Sequence, residues 1–295
     1  MEEYRINLIS KNNSLKRPLI LDGATGSLLQ QRNVLTDKNL WSSFANISNP
    51  KEVLAIHKEY ISAGADIITT NTFRTNPTAI KISKHNFTIE ELVKEGVELA
   101  IKARADKEIL IAGSNASAED CYQAERTISK YDLEYNHKKH IELLLEYGCD
   151  IIWNETQSHW DEIDIICKFC SQNNLPFVIN LYFTDELKLL SGEPLYEAVQ
   201  FIKDYSPQAI GFNCIKPKTF ESYYKTFSLN HNWGFYFNCG AGDIGSAIIE
   251  CGIDPKSYVT PIEPLLKMKP LYVGSCCGSN PEHTKAIKEL FDEIY

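Results

Sequence analysis

The feature that most constrains the fold is a regular alternation of short apolar runs with helix-like segments along the chain. We predict eight strands, at residues 18–21, 66–70, 109–113, 150–153, 177–180, 209–211, 234–237 and 271–273. Strands that alternate with helices form parallel sheets, and eight such units without a break close into a barrel. The sequence therefore predicts an α/β fold, a single (β/α)8 TIM-type barrel.

The helix predictions rest on amphipathic spacing and on end signals. Pro50 opens a helix that stops at Gly64, with Asn49 as its expected cap. The other predicted helices cover residues 26–32, 89–105, 135–147, 161–170, 195–203, 255–267 and the segments that begin at Pro217 and Pro281. Residues 114–132 are expected to form a long polar loop, and a loop of that length inside a compact domain is usually functional.

The length and charge of the chain fit this architecture. The 295 residues suit one barrel domain, residues 1–295, because such barrels need about 250 residues. A net charge of -9 without a cluster of lysine or arginine argues against nucleic acid and favours a small-molecule partner. The acidic start Met1-Glu2-Glu3-Tyr4 and the lack of any run near roughly 18 apolar residues predict a cytoplasmic protein with no membrane contact.

The cysteines predict a zinc site. Nine cysteines at irregular spacing fit reduced thiols better than a disulfide framework. Cys276 and Cys277 are adjacent and flanked by glycines, so that both reach one point at a turn. Two thiolates do not complete a tetrahedral zinc site. Cys214, which ends the sixth strand unit as they end the eighth, is the expected third ligand at the same barrel mouth, and Cys239 is an alternative ligand or a bystander.

Other polar residues follow strands in the same way. The carboxyl ends of the strands carry the function in barrels of this type. Asp22 follows the first strand, Asn71 and Thr72 follow the second, and Glu155 follows the fourth. We expect these side chains to share the mouth with the three cysteines, although Asp22 could simply end a strand and Glu155 could cap the next helix.

These motifs resemble the homocysteine S-methyltransferase family, whose pattern is Gly-x-Asn-Cys followed some tens of residues later by Gly-Gly-Cys-Cys-Gly. Here the motifs are Gly211-Phe212-Asn213-Cys214 and Gly274-Ser275-Cys276-Cys277-Gly278, with a departure at Ser275. Supporting similarity lies at Leu21-Asp22-Gly23-Ala24-Thr25-Gly26, Thr70-Asn71-Thr72-Phe73 and Asn154-Glu155-Thr156. The resemblance covers nearly the whole chain and implies a zinc-dependent enzyme that makes methionine from homocysteine.

The resemblance also implies roles for residues. Asp22 and Glu155 match the positions that hold the ammonium of homocysteine, and backbone amides from Gly23 to Ser27 could hold its carboxylate. Asn213 is expected to orient the neighbouring ligand, and Asn71 and Thr72 to shape the substrate pocket. Three thiolates leave an open position on zinc, where a substrate thiol loses its proton and attacks an activated methyl group.

The methyl donor and the acceptor stay open at this level. S-methylmethionine or S-adenosylmethionine is favoured, since Leu40-Trp41-Ser42 is similar to the sulfonium-using branch, and betaine is next. Asn238-Cys239-Gly240 departs from the expected Asn-Ser-Gly, and the 114–132 loop is a variant. An alternative is therefore a thiol or selenol methyltransferase with a different acceptor. A noncatalytic zinc-thiolate barrel that binds an amino thiol or a partner protein is another, with all four zinc positions filled, for instance by Cys239.

Two further patterns have structural interpretations. Cys167 and Cys170 lie three residues apart within an amphipathic helix, which places both thiols on one packing face. The histidines at helical positions have no metal-ligand spacing with an acid or a cysteine and are expected to be surface or packing residues; they are His57, His137, His140, His159 and His283.

Overall fold

The computed structural model describes residues 7–241 and 248–295, so the predicted character of Met1-Glu2-Glu3-Tyr4 lies outside the described residues. Within those ranges the chain forms eight strands. Their bounds are β1 Leu19–Ile20, β2 Ile67–Thr69, β3 Leu110–Asn115, β4 Ile151–Gln157, β5 Phe177–Leu181, β6 Ala209–Asn213, β7 Trp233–Phe237 and β8 Tyr272–Ser275. Each predicted strand is present, and β4 extends four residues beyond its predicted end at Trp153.

The strands form one parallel sheet in the order β1-β8-β7-β6-β5-β4-β3-β2. The two ends of this sheet meet where Leu21 and Ile67 form a parallel bridge. The amide of Asp22 donates to the carbonyl of Ile67 at 3.0 Å and completes the contact. The closed parallel arrangement confirms the predicted (β/α)8 barrel.

The helices surround the sheet. Their bounds are α1 Leu8–Leu15, α2 Thr25–Gln31, α3 Ala45–Ser48, α4 Pro50–Ser62, α5 Pro77–Ile82, α6 Ile89–Arg104, α7 Lys130–Glu146, α8 Trp160–Gln172, α9 Leu195–Lys203, α10 Pro217–Thr226, α11 Pro255–Val259, α12 Glu263–Leu266 and α13 Pro281–Ile294. Within the described ranges, no helix is long and apolar enough to cross a membrane.

Several helix boundaries differ from the prediction. α7 begins at Lys130 instead of residue 135, because the Ser129 side chain caps it by accepting from the amide of Asp132. Asn49 occupies the N-cap position of α4 as predicted, but its side chain makes no capping hydrogen bond. The helix predicted over 255–267 is two short helices, α11 and α12. α1, α3 and α5 were not predicted.

The interior of the barrel is filled below its mouth. The Trp153 and Tyr272 rings meet edge to face inside the barrel, with centroids 4.7 Å apart. Tyr272 needs glycine opposite it, because a Cβ at Gly211 would lie 1.9 Å from its hydroxyl and a Cβ at Gly234 would lie 2.5 Å from its ring. These side chains fill the barrel at this level, below the carboxyl ends of the strands.

Candidate active site

Three cysteine thiols come together at the mouth of the barrel. Cys214 directly follows β6, and Cys276 and Cys277 directly follow β8. Their sulfur atoms lie within 4.8 Å of one another, and those of Cys214 and Cys277 are 3.4 Å apart. A tetrahedral zinc site with Zn–S distances of about 2.3 Å places its sulfur atoms roughly 3.8 Å apart. The spacing of the three thiols therefore fits a metal, and the cluster combines the cysteines predicted from the sequence.

The backbone around the thiols is held in uncommon conformations. Cys214 has a φ of 57°, and Gly278 has a φ of 85°. A Cβ at Gly278 would lie 2.5 Å from the Cα of Gly240, so only glycine lets the two loops approach this closely. The amide of Cys239 then donates to the carbonyl of Cys277 at 2.8 Å and fixes the turn. The glycine flanking the cysteine pair is thus required by the geometry of the turn.

One of the three thiols is the preferred carrier of negative charge. Hydrogen bonds from Cys276 and Cys277 lower the pKa of Cys214 well below its usual value, and Tyr122 contributes in the same direction. The interaction with Cys214 raises the pKa of Cys276 and of Cys277. The Tyr122 hydroxyl donates to the sulfur of Cys214 at 3.0 Å. The cluster is thus arranged to stabilise thiolate at Cys214 before a cation is added.

Cys239 is placed differently from the three clustered cysteines. Its thiol is fully buried and donates to the Phe237 carbonyl, with the sulfur 3.8 Å from the oxygen. Among the described residues it is not part of the group whose ligand atoms converge. Its backbone supports the turn at Cys277, whereas its side chain packs behind the cluster. The geometry favours the bystander interpretation over a fourth protein ligand.

Asp22 faces the same mouth from the end of β1. Its side chain is 2% exposed and accepts from the amide of Thr69 at 2.8 Å and from the Thr69 hydroxyl. Burial raises the pKa of Asp22 well above its usual value, and the charge of Glu155 raises it further. The carboxylate is therefore held by hydrogen bonds in a place where its charge is poorly stabilised.

Glu155 lies in the upper part of β4 and belongs to the strand itself. Ser114 donates to its Oε1, and Tyr236 donates to its Oε2 at 3.3 Å. Burial raises its pKa to about 7, and the nearby charge of Cys214 acts in the same direction. Within the described residues no basic side chain forms an ion pair with Glu155 or Asp22. Two acids without a cation, Asp22 buried and Glu155 partly buried, make this side of the mouth suited to an ammonium group.

A cavity of about 800 Å³ joins the acids to the thiols. Asp22, Gly23, Asn71 and Glu155 line it together with the three cysteines. Thr72 lies outside this lining, with its hydroxyl donating to the carbonyl of Ser114 at 2.8 Å. The structure thus brings most of the predicted site residues to one space.

Asn71 and Asn213 have side chains that are engaged within the protein. The amide of Asn71 donates to the Ser42 carbonyl and to Asn46, both at 2.9 Å. Asn213 is fully buried, does not line the cavity, and bonds to Thr156 on β4. Asn71 therefore shapes the cavity wall, and Asn213 connects two strands beneath it.

Near Gly23 the cavity wall is closely packed. A Cβ at Gly23 would lie 2.6 Å from the Ser279 hydroxyl and 2.7 Å from that of Tyr60. Ser279 also accepts from the amide of Ala24 at 3.0 Å, so this amide of the Gly23–Ser27 turn is already occupied. A substrate carboxylate at this turn would have to use the other amides.

Sequence reasoning missed several residues that line the cavity. Tyr122 belongs to the loop of residues 116–129, and the only signal for it was the unusual length of that region. Trp41 and Phe73 form an edge-to-face pair with centroids 5.9 Å apart, and Arg74 lies over Phe73, 5.7 Å from the ring centroid. All four residues line the cavity. Phe73, Arg74 and Tyr122 come from connections between a strand and a helix, and Trp41 comes from the segment between α2 and α3. Pattern reasoning places side chains least well in such connections.

The loop of residues 116–129 is tied down by a buried acid. Glu162 of α8 is fully buried and accepts from the amide of Ala118 at 3.0 Å. It also pairs with Arg126 of the loop at 2.9 Å. Burial raises the pKa of Glu162, but His137, the charge of Arg126 and the Ala118 amide together lower it to about 2. The charged form of Glu162 thus anchors both ends of the segment that carries Tyr122.

The structure also places the remaining cysteines and histidines singled out in the sequence. Cys167 and Cys170 are fully buried on the inner face of α8, as predicted for packing residues. The five histidines are buried as well, and none belongs to the converging ligand group. His159 precedes α8 instead of lying on its face.

The fold and the site define a class of protein: a (β/α)8 barrel with a thiol cluster able to hold a metal and a pair of acids without a cation at its mouth. Comparisons with known proteins agree with this class. A family model described as homocysteine S-methyltransferase matches residues 19–291. The chain therefore belongs to the homocysteine S-methyltransferase family, and it is a methyltransferase.

Individual relatives are distant but span the chain well. The homocysteine S-methyltransferase of Escherichia coli K12 is 28% identical over 234 residues, which cover 70% of this chain and 74% of that protein. Homocysteine S-methyltransferase 2 of Zea mays is 23% identical and covers 93% of this chain and 90% of its own length. Selenocysteine Se-methyltransferase of Brassica oleracea var. italica is 20% identical, with 91% and 87% covered.

A solved structure has the same fold. The metallated form of the homocysteine methyltransferase MmuM from Escherichia coli matches this chain with a TM-score of 0.75 at 23% identity. The match covers 96% of this chain and 99% of that one.

Proposed function

We propose that this chain transfers a methyl group to the thiol of homocysteine and forms methionine, with Cys214, Cys276 and Cys277 holding a zinc ion. The observation that carries the proposal is the convergence of three thiols and two uncompensated acids on one cavity. An amino thiol is a ligand whose two functional groups match these two sides. The site residues are assigned on this basis.

The thiol cluster supports zinc by its chemistry. Three sulfur ligands and no nitrogen or oxygen ligand converge within the described residues, and zinc accepts such soft ligand sets. When bound there, zinc would lower the pKa of a coordinated substrate thiol and keep it nucleophilic. The lowered pKa of Cys214 supplies negative charge at the place where the cation would bind.

The acids would bind and orient the ammonium group of the substrate. Burial raises the pKa of both Asp22 and Glu155. Without a bound cation, the ionised form of each carboxyl group is therefore disfavoured. An ammonium group between them would restore the ionised forms and gain charge-assisted hydrogen bonds. The substrate thiol would then point across the cavity toward the three cysteines.

The opposite wall supports a small sulfonium donor. Trp41 and Phe73 present aromatic surface to the cavity, and aromatic faces attract cations. Arg74 lines the same cavity. Its Nη1 donates to the Glu119 carbonyl at 2.6 Å, and its other N–H groups are suited to a carboxylate. S-methylmethionine or S-adenosylmethionine carries both groups and is favoured, with betaine next. The substrate thiolate would attack the methyl carbon while the carbon–sulfur bond of the donor breaks, leaving methionine and a neutral thioether.

A selenol acceptor is the second candidate, and the similarity to a plant selenocysteine Se-methyltransferase favours testing it. The barrel that only binds an amino thiol has less support, because it needs a fourth protein ligand. Cys239, the residue considered for that role, bonds to the Phe237 carbonyl and lies outside the cluster.

Methionine formation tests the proposal. The zinc-loaded protein would receive homocysteine together with S-methylmethionine, S-adenosylmethionine, betaine or methyltetrahydrofolate in parallel, with zinc-stripped protein as the control. We expect methionine from a sulfonium donor, lost without zinc. The same assay with selenocysteine in place of homocysteine measures acceptor preference. A zinc-loaded protein that forms no product from any pair would contradict the proposal.

A further inference from the structure

A pair of buried polar side chains connects the strand that carries Glu155 to the strand that ends at Cys214. The Oδ1 of Asn213 accepts from the amide of Thr156 at 2.9 Å, and its Nδ2 donates to the Thr156 hydroxyl at 2.9 Å. The contact joins β4 and β6 and passes over β5, which lies between them in the sheet. Both side chains are almost fully buried, with exposures of 2% and 0%. We call this contact the Thr156–Asn213 clasp.

Thr156 sits in a conformation that its residue type disfavours. Its φ is 56°, in the left-handed region where a β-branched residue is an outlier. The pairing of β4 with β5 shifts register between Asn154 and Gln157, so that the strand is locally irregular at this residue. Strain of this kind persists only where surrounding contacts determine the backbone. Here the amide, hydroxyl and carbonyl of Thr156 are all engaged, the last by the Ser117 hydroxyl.

Each half of the clasp is covalently next to a residue of the proposed site. Thr156 follows Glu155, and Asn213 precedes Cys214. Cys214 itself has a left-handed φ of 57°. The backbone therefore bends at Thr156 and at Cys214, and the side chains of Glu155 and Cys214 both line the cavity. A change in the clasp would move the carboxylate and the thiol relative to each other.

We infer that the Thr156–Asn213 clasp is a positioning device that fixes the separation between the ammonium-binding carboxylate of Glu155 and the Cys214 thiol. This separation selects amino thiols by the number of carbons between nitrogen and sulfur. Homocysteine then reaches both the carboxylate and the metal held by the thiols, whereas cysteine, which is one methylene shorter, reaches only one of them. The inference rests on the proposed function and concerns one residue of the cavity lining, Thr156, and one residue behind it, Asn213.

Binding to the cobalt(II) form tests the clasp without any methyl donor. Thiolate-to-cobalt absorption reports the occupied cluster, and its change on titration gives dissociation constants for homocysteine and for cysteine. We expect the parent to prefer homocysteine by about tenfold or more, the scale of one methylene in a fitted pocket. Thr156→Val, which keeps the shape and removes the hydroxyl, should lower this preference by at least about fivefold, because losing a hydrogen bond that orients a site residue typically costs 10–100-fold.

Three further variants separate positioning from folding. Thr156→Gly lacks the hydroxyl but accepts the left-handed backbone, and it should lose the preference in the same way. Thr156→Ser keeps the hydroxyl and should keep the preference. Thr284→Val is the matched control, since Thr284 is a fully buried threonine of α13 whose hydroxyl has no hydrogen-bond partner among the described residues.

The outcomes are distinct. An unchanged preference in folded Thr156→Val and Thr156→Gly would overturn the clasp and leave the proposed function standing. A parent protein that binds no cobalt(II), or whose absorption responds to neither thiol, would overturn both. Loss of preference in the first two variants alone, with Thr156→Ser and Thr284→Val like the parent, is the result that the clasp requires.

Discussion

The chain contains two groups of neighbouring cysteines, and the surroundings of the two groups differ. Cys167 and Cys170 are one turn apart on α8 and pack into the apolar core, where burial raises the pKa of Cys170 to about 12. Cys214, Cys276 and Cys277 come from two strand ends and converge on an open cavity. There, hydrogen bonds from its neighbours lower the pKa of Cys214. The comparison shows that convergence of thiols on a shared point, and not their proximity in sequence, separates a metal site from a packing face.

The largest expected effect comes from removing one thiol at the mouth. Cys214→Ser should lower zinc affinity by more than about 100-fold, since changes even behind the ligands cost 10–100-fold. Methyl transfer should be lost with the metal. Zinc content after dialysis against a chelator measures the effect.

Cys170→Ser is the matched control in the other group. It should bind zinc like the parent but unfold more easily, by about 1–3 kcal/mol, because a hydroxyl would be buried without a partner. Chemical denaturation measures this difference. If Cys170→Ser lost zinc, or Cys214→Ser kept it, the contrast between the two groups would be wrong.

The next largest expected effect comes from an acid at the mouth of the barrel. Glu155→Gln should weaken homocysteine binding by roughly 10–100-fold, because a charge-assisted hydrogen bond contributes about 1.5–3 kcal/mol. Zinc affinity should stay near that of the parent. Calorimetric titration measures the loss, and 4-mercaptobutanoate, which lacks the amino group, provides the control ligand. Equal losses for both ligands would mean that Glu155 does not bind the ammonium.

The pH dependence of homocysteine binding follows from the same residue. Burial raises the pKa of Glu155 to about 7 in the free protein, and only the ionised carboxylate attracts an ammonium group. Binding should therefore weaken as pH falls below about 7, by up to tenfold per unit. The comparison of parent with Glu155→Gln at each pH isolates this contribution, since the substrate thiol titrates alike in both. Parallel profiles would contradict the assignment.

The smallest expected effect belongs to Tyr122. Tyr122→Phe removes the hydrogen bond to the Cys214 sulfur, and zinc affinity should fall about five- to tenfold, as for the loss of a hydrogen bond of about 1 kcal/mol. Competition with a chromophoric chelator measures this change. Tyr131→Phe, on an exposed tyrosine of α7, should leave zinc affinity unchanged. A Tyr122→Phe protein with parental affinity would show that the hydroxyl does not support the cluster.

The parts of the site that could be predicted from the sequence lie at strand ends. The barrel followed from the periodic alternation of strands and helices, and residues that directly follow strands, such as Asp22 and Cys214, were placed correctly at the mouth. Their position depends only on where a strand stops. The convergence of the three thiols follows from the same topology, because parallel strands present their carboxyl ends together.

The rest depends on tertiary contacts that a linear pattern does not contain. Tyr122 reaches Cys214 only because Glu162 and Arg126 hold the 116–129 loop against α8. Thr72 was expected to shape the substrate pocket and Asn213 to orient the neighbouring ligand; the structure directs their side chains to the Ser114 carbonyl and to Thr156. The backbone of β4 is irregular at Thr156, and this irregularity leaves no periodic signal in the sequence.

The central claim is that the mouth thiols hold zinc with one position left for a substrate thiol, and X-ray absorption at the zinc edge tests it most directly. For the resting protein we predict three sulfur ligands and one lighter ligand, with a fourth sulfur appearing when homocysteine is added. Four sulfur ligands before substrate is added, or a sulfur shell that homocysteine does not change, would contradict the account.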